Sequence, residues 1–141
     1  MKVIDTSKIN ELYTQAFSSE RKRTHHLLHS THNEKVQRLL ISLVKGSYVE
    51  PHYHNESNQW ELFVVLQGQI LLTMYNETGD ITKKINLGPQ CEAQLVEIYP
   101  NEIHSVECIS ETALMLEVKE GPFNESKAKV LMARQVNMIN D

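Results

Sequence analysis

Between Val36 and Lys119 the chain is cut into short apolar runs, near 36–44, 47–53, 60–66, 69–75, 81–87, 93–98, 103–109 and 112–119. Lys45-Gly46, Gln67-Gly68, Asn76 to Asp80, Leu87-Gly88-Pro89 and Tyr99-Pro100-Asn101 supply the breaks. Gly, Pro, Asn and Asp punctuate chains by accepting backbone angles that other residues resist. Runs this short and this regularly broken predict strands, and strands with no helix between them predict an all-β sandwich or barrel rather than an α/β fold. One helix precedes them. Over Ser7 to Ser18, Ile9, Leu12, Tyr13, Ala16 and Phe17 recur at the spacing of a single buried face, with Asp5, Thr6 and Ser7 as N-cap oxygens.

The plan expected is therefore one domain in three parts. Residues 1–35 supply the helix and a basic, His-rich segment packing on the barrel, residues 36–122 form the barrel, and residues 123–141 form a tail with a short helix over 125–133. A chain of 141 residues suffices for one buried core without staples. Net charge is −4 with both signs mixed, which excludes the basic footprint of a nucleic-acid or anionic-membrane binder. The first residues lack the apolar run of a signal peptide, and Cys91 and Cys108 are the only cysteines. Both features lead us to expect a cytoplasmic protein with free thiols.

Chemistry concentrates in Gly46-Ser-Tyr-Val-Glu-Pro-His52-Tyr-His54, followed by Glu61 on the next run. In a strand, side chains two apart share a face, so His52 and His54 can aim two imidazoles at one point. The turn Asn55 to Gln59 lets Glu61 face them. Glu61 shares a face with Phe63 and Val65 in a run that is apolar on both faces, and a lone buried carboxylate must be protonated, ion-paired or metal-bound. The Pro100-Asn101 turn leads to His104, which alternates with Val106 and Cys108. Three imidazoles and one carboxylate fill four positions of a divalent transition metal and leave room for water or substrate. The expected metal ligands are His52, His54, Glu61 and His104, and the donor set admits Fe, Mn, Zn, Ni or Co.

These residues carry a resemblance. Gly46-x5-His52-x-His54-x6-Glu61-x6-Gly68 is similar to the first cupin motif, with a lengthened gap before the glutamate. Residues 99–104 resemble the second motif, with Tyr99 in place of its first Pro, Asn101 in place of its Gly, Ala93 where an earlier Gly stands and Cys108 where Asn is common. Arg23-Thr24-His25 with His29, Val36 to Leu40, Trp60 to Gly68 and Leu116 to Pro122 look like the WbuC family of cupin-fold metalloproteins. The resemblance covers roughly residues 20–125. It implies a double-stranded β-helix, the cupin or jelly-roll barrel, one divalent metal ion, a homodimer, and a setting in bacterial surface-polysaccharide biosynthesis.

Other residues carry competing readings. The segment with Arg21, Arg23, His25, His26, His29 and His32 is a second metal site, a solvated basic linker, or a flap over the barrel mouth. In the last reading Arg21, Arg23 or His25 meets an anionic substrate group. Arg38 interrupts an apolar run and is either a substrate-binding or catalytic residue or half of a structural salt bridge. Tyr48 and Glu50 share strand parity with the histidines, making Tyr48 the candidate acid or base and Glu50 a candidate partner of a ligand. Trp60, Leu62, Val64 and Leu66 are inter-sheet core or a dimer interface. The leading functional expectation is a metal-dependent isomerase or epimerase acting on a sugar or nucleotide-sugar intermediate. The alternatives are an Fe(II)-dependent dioxygenase and a non-catalytic module that holds a small molecule through its metal.

Overall fold

The computed structural model describes residues 1–132. Helix α1 (Thr6–Ser18) is followed by β1 (Arg23–Leu27), β2 (Val36–Val44), β3 (Tyr48–Tyr53), β4 (Glu61–Gln67) and β5 (Ile70–Tyr75). The chain continues through β6 (Ile81–Leu87), β7 (Leu95–Ile98), β8 (Ile103–Cys108) and β9 (Thr112–Glu120), then a 3-10 turn (Glu125–Lys127) and β10 (Val130–Leu131). The strands build two antiparallel sheets in the orders β1-β2-β9-β4-β7 and β10-β3-β8-β5-β6. This is the expected all-β sandwich closed as a jelly roll, with one N-terminal helix.

Alternation decides what lies between the sheets. Leu39, Ile41 and Leu43 of β2, Phe63 and Val65 of β4, and Ala113 and Met115 of β9 face Ile70, Leu72, Leu87, Val106 and Cys108 of the second sheet. β2 does not read as alternating because its other face is covered too. Helix α1 lies there, burying Leu12 against Leu40 and Leu114, and the Ser42 hydroxyl donates to the Leu12 carbonyl at 3.0 Å. Strands covered on both faces lose the polar half of their pattern. The helix starts where its cap predicts, with the Asp5 carboxylate accepting from the Lys8 amide at 2.9 Å. Its buried stripe is narrower than expected: Phe17 is exposed, because α1 packs chiefly on β1 and β2.

Three further expectations are corrected. The basic segment after the helix is not a solvated linker; part of it is β1, added to the edge of the first sheet. The tail forms a 3-10 turn and then β10, which pairs with β3, in place of the helix expected over 125–133; residue 133 lies outside the described residues. Leu62, Val64 and Leu66 stand on the outer face of the first sheet rather than between the sheets, opposite in parity to the core residues Phe63 and Val65. Gly68 makes the β4–β5 turn possible. Its φ is +76°, and a Cβ there would stand 2.2 Å from the Thr112 carbonyl oxygen, so any other residue would be strained and would collide with backbone.

Candidate metal centre

His52 and His104 lie directly opposite each other on β3 and β8, with ring centroids 4.4 Å apart. His54 follows the end of β3, where its carbonyl accepts from the Asn101 amide at 2.7 Å. Asn101 has φ +70°, the left-handed conformation that the Pro100-Asn101 turn predicts. One hydrogen bond thus ties the turn before His104 to the backbone of His54. Glu61, the first residue of β4, reaches in from the opposite sheet. Its Oε1 is 2.8 Å from His54 Nε2 and 3.5 Å from His104 Nε2. One donor atom from each of His52, His54, Glu61 and His104 lies within 4.8 Å of all the others. Two ligands bound at about 2.1 Å stand about 3–4 Å apart, so the cluster needs only a slight contraction to close on an ion.

The tautomers are set by what lies behind each ring. His52 Nδ1 bonds the Glu50 carbonyl at 2.8 Å, His104 Nδ1 bonds the Glu102 carbonyl at 3.0 Å, and His54 Nδ1 bonds the Ala128 carbonyl. A carbonyl only accepts, so each Nδ1 carries the proton and each Nε2 presents a lone pair. His54 Nε2, His104 Nε2 and Glu61 Oε1 are buried and make no hydrogen bond, although His54 and Glu61 are close. Buried polar atoms are ordinarily satisfied; here acceptors face one another, which is unfavourable unless a cation stands between them. The residues present fit a divalent transition metal.

Electrostatics add a carboxyl that strand parity in β3 could not show. Glu117 on β9 is buried, directly opposite Phe63 and one step diagonally from Glu61. Burial, and then the charge of Glu61, push its pKa well above the usual carboxylate range. Burial works against the charge of Glu61 as well. Two buried carboxyls this close favour holding one proton between them. Burial, then the neighbouring His104, pull His52 down to about 4, so it is neutral and ligand-ready near neutral pH.

The cluster opens on two cavities. One, about 130 Å³, lies between the sheets and is lined by Arg21, Arg23, His25, Glu117, Lys119 and Lys129 together with all four candidate ligands. The other, about 220 Å³, reaches His54 and Glu61 past Trp60, Phe123 and Lys127. Of the residues expected to contact substrate, Arg23 and His25 are therefore brought to the cluster. β1 explains why: Arg23 and His25 lie opposite Leu43 and Ile41, both of which face the core.

Arg38 is not brought there. It stands opposite Val118 on the outer face and donates to the Val36 and Leu28 carbonyls at 3.2 and 3.5 Å. It also pairs with Glu34 at 3.8 Å, giving the structural reading of its charge. Tyr48 is not brought there either. The register shifts between Val49 and His52, and this bulge puts Val49 rather than Tyr48 on the ligand face. Tyr48 is 50% exposed on the outer side, and Glu50 contributes its backbone carbonyl rather than its carboxylate. His29 is a backbone anchor, its Nδ1 3.0 Å from both the amide and the carbonyl of Arg38. Among the described residues the His25–His32 segment forms no metal-ligating group. Cys108 is a small core residue, its thiol pushed up to about 11 by burial.

Glu117, Lys119 and Lys129 were not anticipated. A signal existed for the first two: in Ala113, Met115, Glu117 and Lys119, acid and base continue the parity of core residues. Lys129 carried none.

Fold and cluster together define a cupin-type barrel with a buried three-histidine, one-glutamate centre. A cupin superfamily protein from Desulfitobacterium hafniense DCB-2 superposes with a TM-score of 0.54 at 20% identity, over 70% of this chain and 76% of that one. KdgF from Halomonas sp. does so with a TM-score of 0.57 at 13% identity, over 74% and 82%. An oxalate oxidase in complex with the substrate analogue glycolate gives 0.59 at 12% identity, over 82% of this chain and 57% of the oxidase. No curated protein matches the sequence significantly. The chain belongs to the family described as a domain of unknown function, DUF6016, whose model matches residues 4–87. That span holds His52, His54 and Glu61 and stops before His104. Among the described residues no helix is long and apolar enough to cross a membrane.

Proposed function

We propose that this protein is a divalent-metal-dependent enzyme acting on a small oxygenated molecule, with His52, His54, His104 and Glu61 as ligands. The observation that carries this reading is the set of buried, hydrogen-bond-free acceptors His54 Nε2, His104 Nε2 and Glu61 Oε1 facing one point. A bound ion would supply Lewis acidity toward a carbonyl or hydroxyl oxygen. The chain's own residues do the rest. The Nδ1 hydrogen bonds hold the three rings in orientation. Glu117 keeps a proton on the cavity wall without being one of the four ligands. A carboxyl so placed is suited to moving a proton to or from bound substrate, which supports isomerase- or epimerase-type chemistry. The segments resembling WbuC support a finer version, a sugar or nucleotide-sugar intermediate of bacterial surface-polysaccharide biosynthesis.

The donor set favours one second reading, an Fe(II)-dependent dioxygenase, since imidazoles and a carboxylate with open positions suit iron and oxygen. Elemental analysis of protein purified without a His-tag tests the centre: close to one equivalent of metal is expected, and none after His54→Ala or Glu61→Ala in a protein that remains folded. A wild-type protein that takes up no metal in anaerobic, metal-supplemented buffer overturns the proposal. Oxygen uptake by the iron-loaded protein separates the dioxygenase from the isomerase, and ligand returned unchanged identifies a binding module.

A further inference from the structure

The inter-sheet cavity has a charge composition that the metal centre does not require. Arg21 and Arg23 enter from the segment after α1, Lys119 from β9 and Lys129 from the C-terminal strap, and all four line the same small space. The acids lining it are Glu61 and Glu117. With both carboxylates ionised the wall still holds two positive charges in excess, four minus two, and a divalent ion would raise that to four. The larger cavity on the other side of Glu61 is different: Lys119 and Lys127 face Glu56, Glu61 and Glu120 there.

The cations have few partners of their own. Among the described residues Arg23 donates only to the Arg21 and Tyr48 carbonyls, at 3.4 and 3.5 Å, and no ion pair involves Arg21 or Lys129. Lys119 stands 3.7 Å from Glu117, its one ion-pair partner among the described residues. Desolvation in the cavity, then Arg23, Arg21, Lys119 and Lys129 in turn, lower the pKa of the His25 imidazole. All four cations thus act on one ring. Bringing like charges together from three chain segments is unfavourable, and an anion in the space would relieve it.

We infer that this cavity binds the carboxylate of a small organic acid, held by Arg23, Lys119 and Lys129 while another oxygen of the same molecule faces the four-ligand centre. The guanidinium of Arg23 suits a planar carboxylate, which it can grip with two parallel bonds. Size limits the choice. A cavity of about 150 Å³ accommodates benzene, so the 130 Å³ here suits the reacting end of a short hydroxy or keto acid, with any longer part extending into solvent. This inference rests on the proposed metal centre for the second oxygen but not for the carboxylate, so the two can fail separately.

The test is calorimetric titration of glycolate and malonate into wild-type protein, metal-free and Mn(II)-loaded, with ethylene glycol and methyl glycolate as neutral counterparts and inorganic phosphate as the rival oxyanion. Both acids are expected to bind in both forms, more tightly with Mn(II), and to weaken as salt rises. Arg23→Gln or Lys129→Gln should weaken them by about tenfold or more, the worth of one charged hydrogen bond, while metal content stays unchanged. Lys129 is exposed at the rim, so Lys129→Gln remains informative if the half-buried Arg23 variant fails to fold. Arg38→Gln and Lys127→Gln, cations outside this cavity, should change nothing. Equal binding of the neutral counterparts, phosphate in preference to both acids, no acid binding in either form, or an Arg38→Gln effect as large as that of Lys129→Gln would each overturn the inference. Acid binding to a protein that takes up no metal would leave the anion site standing and remove the metal centre.

Discussion

Glu61→Ala should abolish the thermal stabilisation that metal confers, and the size of that effect follows from the site. A ligand that binds only the native state adds RT ln(1 + [L]/Kd), about 2.7 kcal/mol at a hundredfold excess over Kd. For a chain of 141 residues, an unfolding entropy of about 2.1 cal/mol/K per residue sums to about 0.3 kcal/mol/K. Metal-stripped wild type should therefore gain about 9 °C in Tm when metal is restored at that excess. Glu61 is the only carboxylate among the four candidate ligands and is 5% exposed. Its loss should weaken metal by at least the hundredfold that changes to outer groups around a metal can cost. At the same metal concentration about 0.4 kcal/mol would then remain, a shift of about 1 °C. Differential scanning calorimetry of EDTA-treated protein with Mn(II), Co(II), Ni(II) or Zn(II), and anaerobically Fe(II), reads this directly. Surface histidines such as His26 and His32 remain in the variant, so an equal shift in wild type and Glu61→Ala would place the metal elsewhere and refute the reasoning. Absence of a wild-type shift with every one of these metals would refute it as well.

Three other outcomes follow from the structure. Deleting residues 124–141 removes the Ala128 carbonyl that orients His54 and should raise the metal Kd by about 10–100-fold while leaving a folded barrel; equilibrium dialysis checks it, and an unchanged Kd would show the strap to be irrelevant to the ligand. Gly68→Ala should cost about 2–4 kcal/mol in urea denaturation, because the new Cβ meets the Thr112 carbonyl at a positive φ. In metal-free protein, His52 is held at about 4 against 6.5 when unfolded, so between these values the unfolded chain binds the extra proton. Stability should therefore be complete above about pH 6.5 and fall as pH drops toward 4, by up to about 3 kcal/mol from this residue; a His52→Asn variant with the same pH slope in denaturant midpoints would assign the loss elsewhere.

Local pattern made most of the strands readable. β2 through β9 fall where breaks such as Gln67-Gly68 and Tyr99-Pro100-Asn101 confine them, because turn conformations depend on the few residues within the turn. The four candidate ligands were readable for the same kind of reason, since alternation along a strand pairs His52 with His54 and Glu61 with Phe63. Parity failed where regularity failed. Tyr48 was assigned across four residues that contain a bulge, and one extra residue exchanges the faces of everything beyond it. Arg38 shows a second failure: both faces of β2 are apolar, so the sequence could not say which was inside until α1 was seen covering one of them.

The pair His52-x-His54, the later Glu61 and the turn before His104 are local facts, and by itself the sequence determined an all-β barrel carrying three imidazoles and a carboxylate in or beside its strands. Tertiary structure decided what those positions meet. Antiparallel register sets Glu117 diagonally beside Glu61 from more than fifty residues away. The edge pairing of β1 turns Arg23 and His25 inward, and the strap brings Lys129 and the Ala128 carbonyl to the same centre. Such encounters depend on burial and on pairing between distant segments, free-energy terms that no short window of sequence contains.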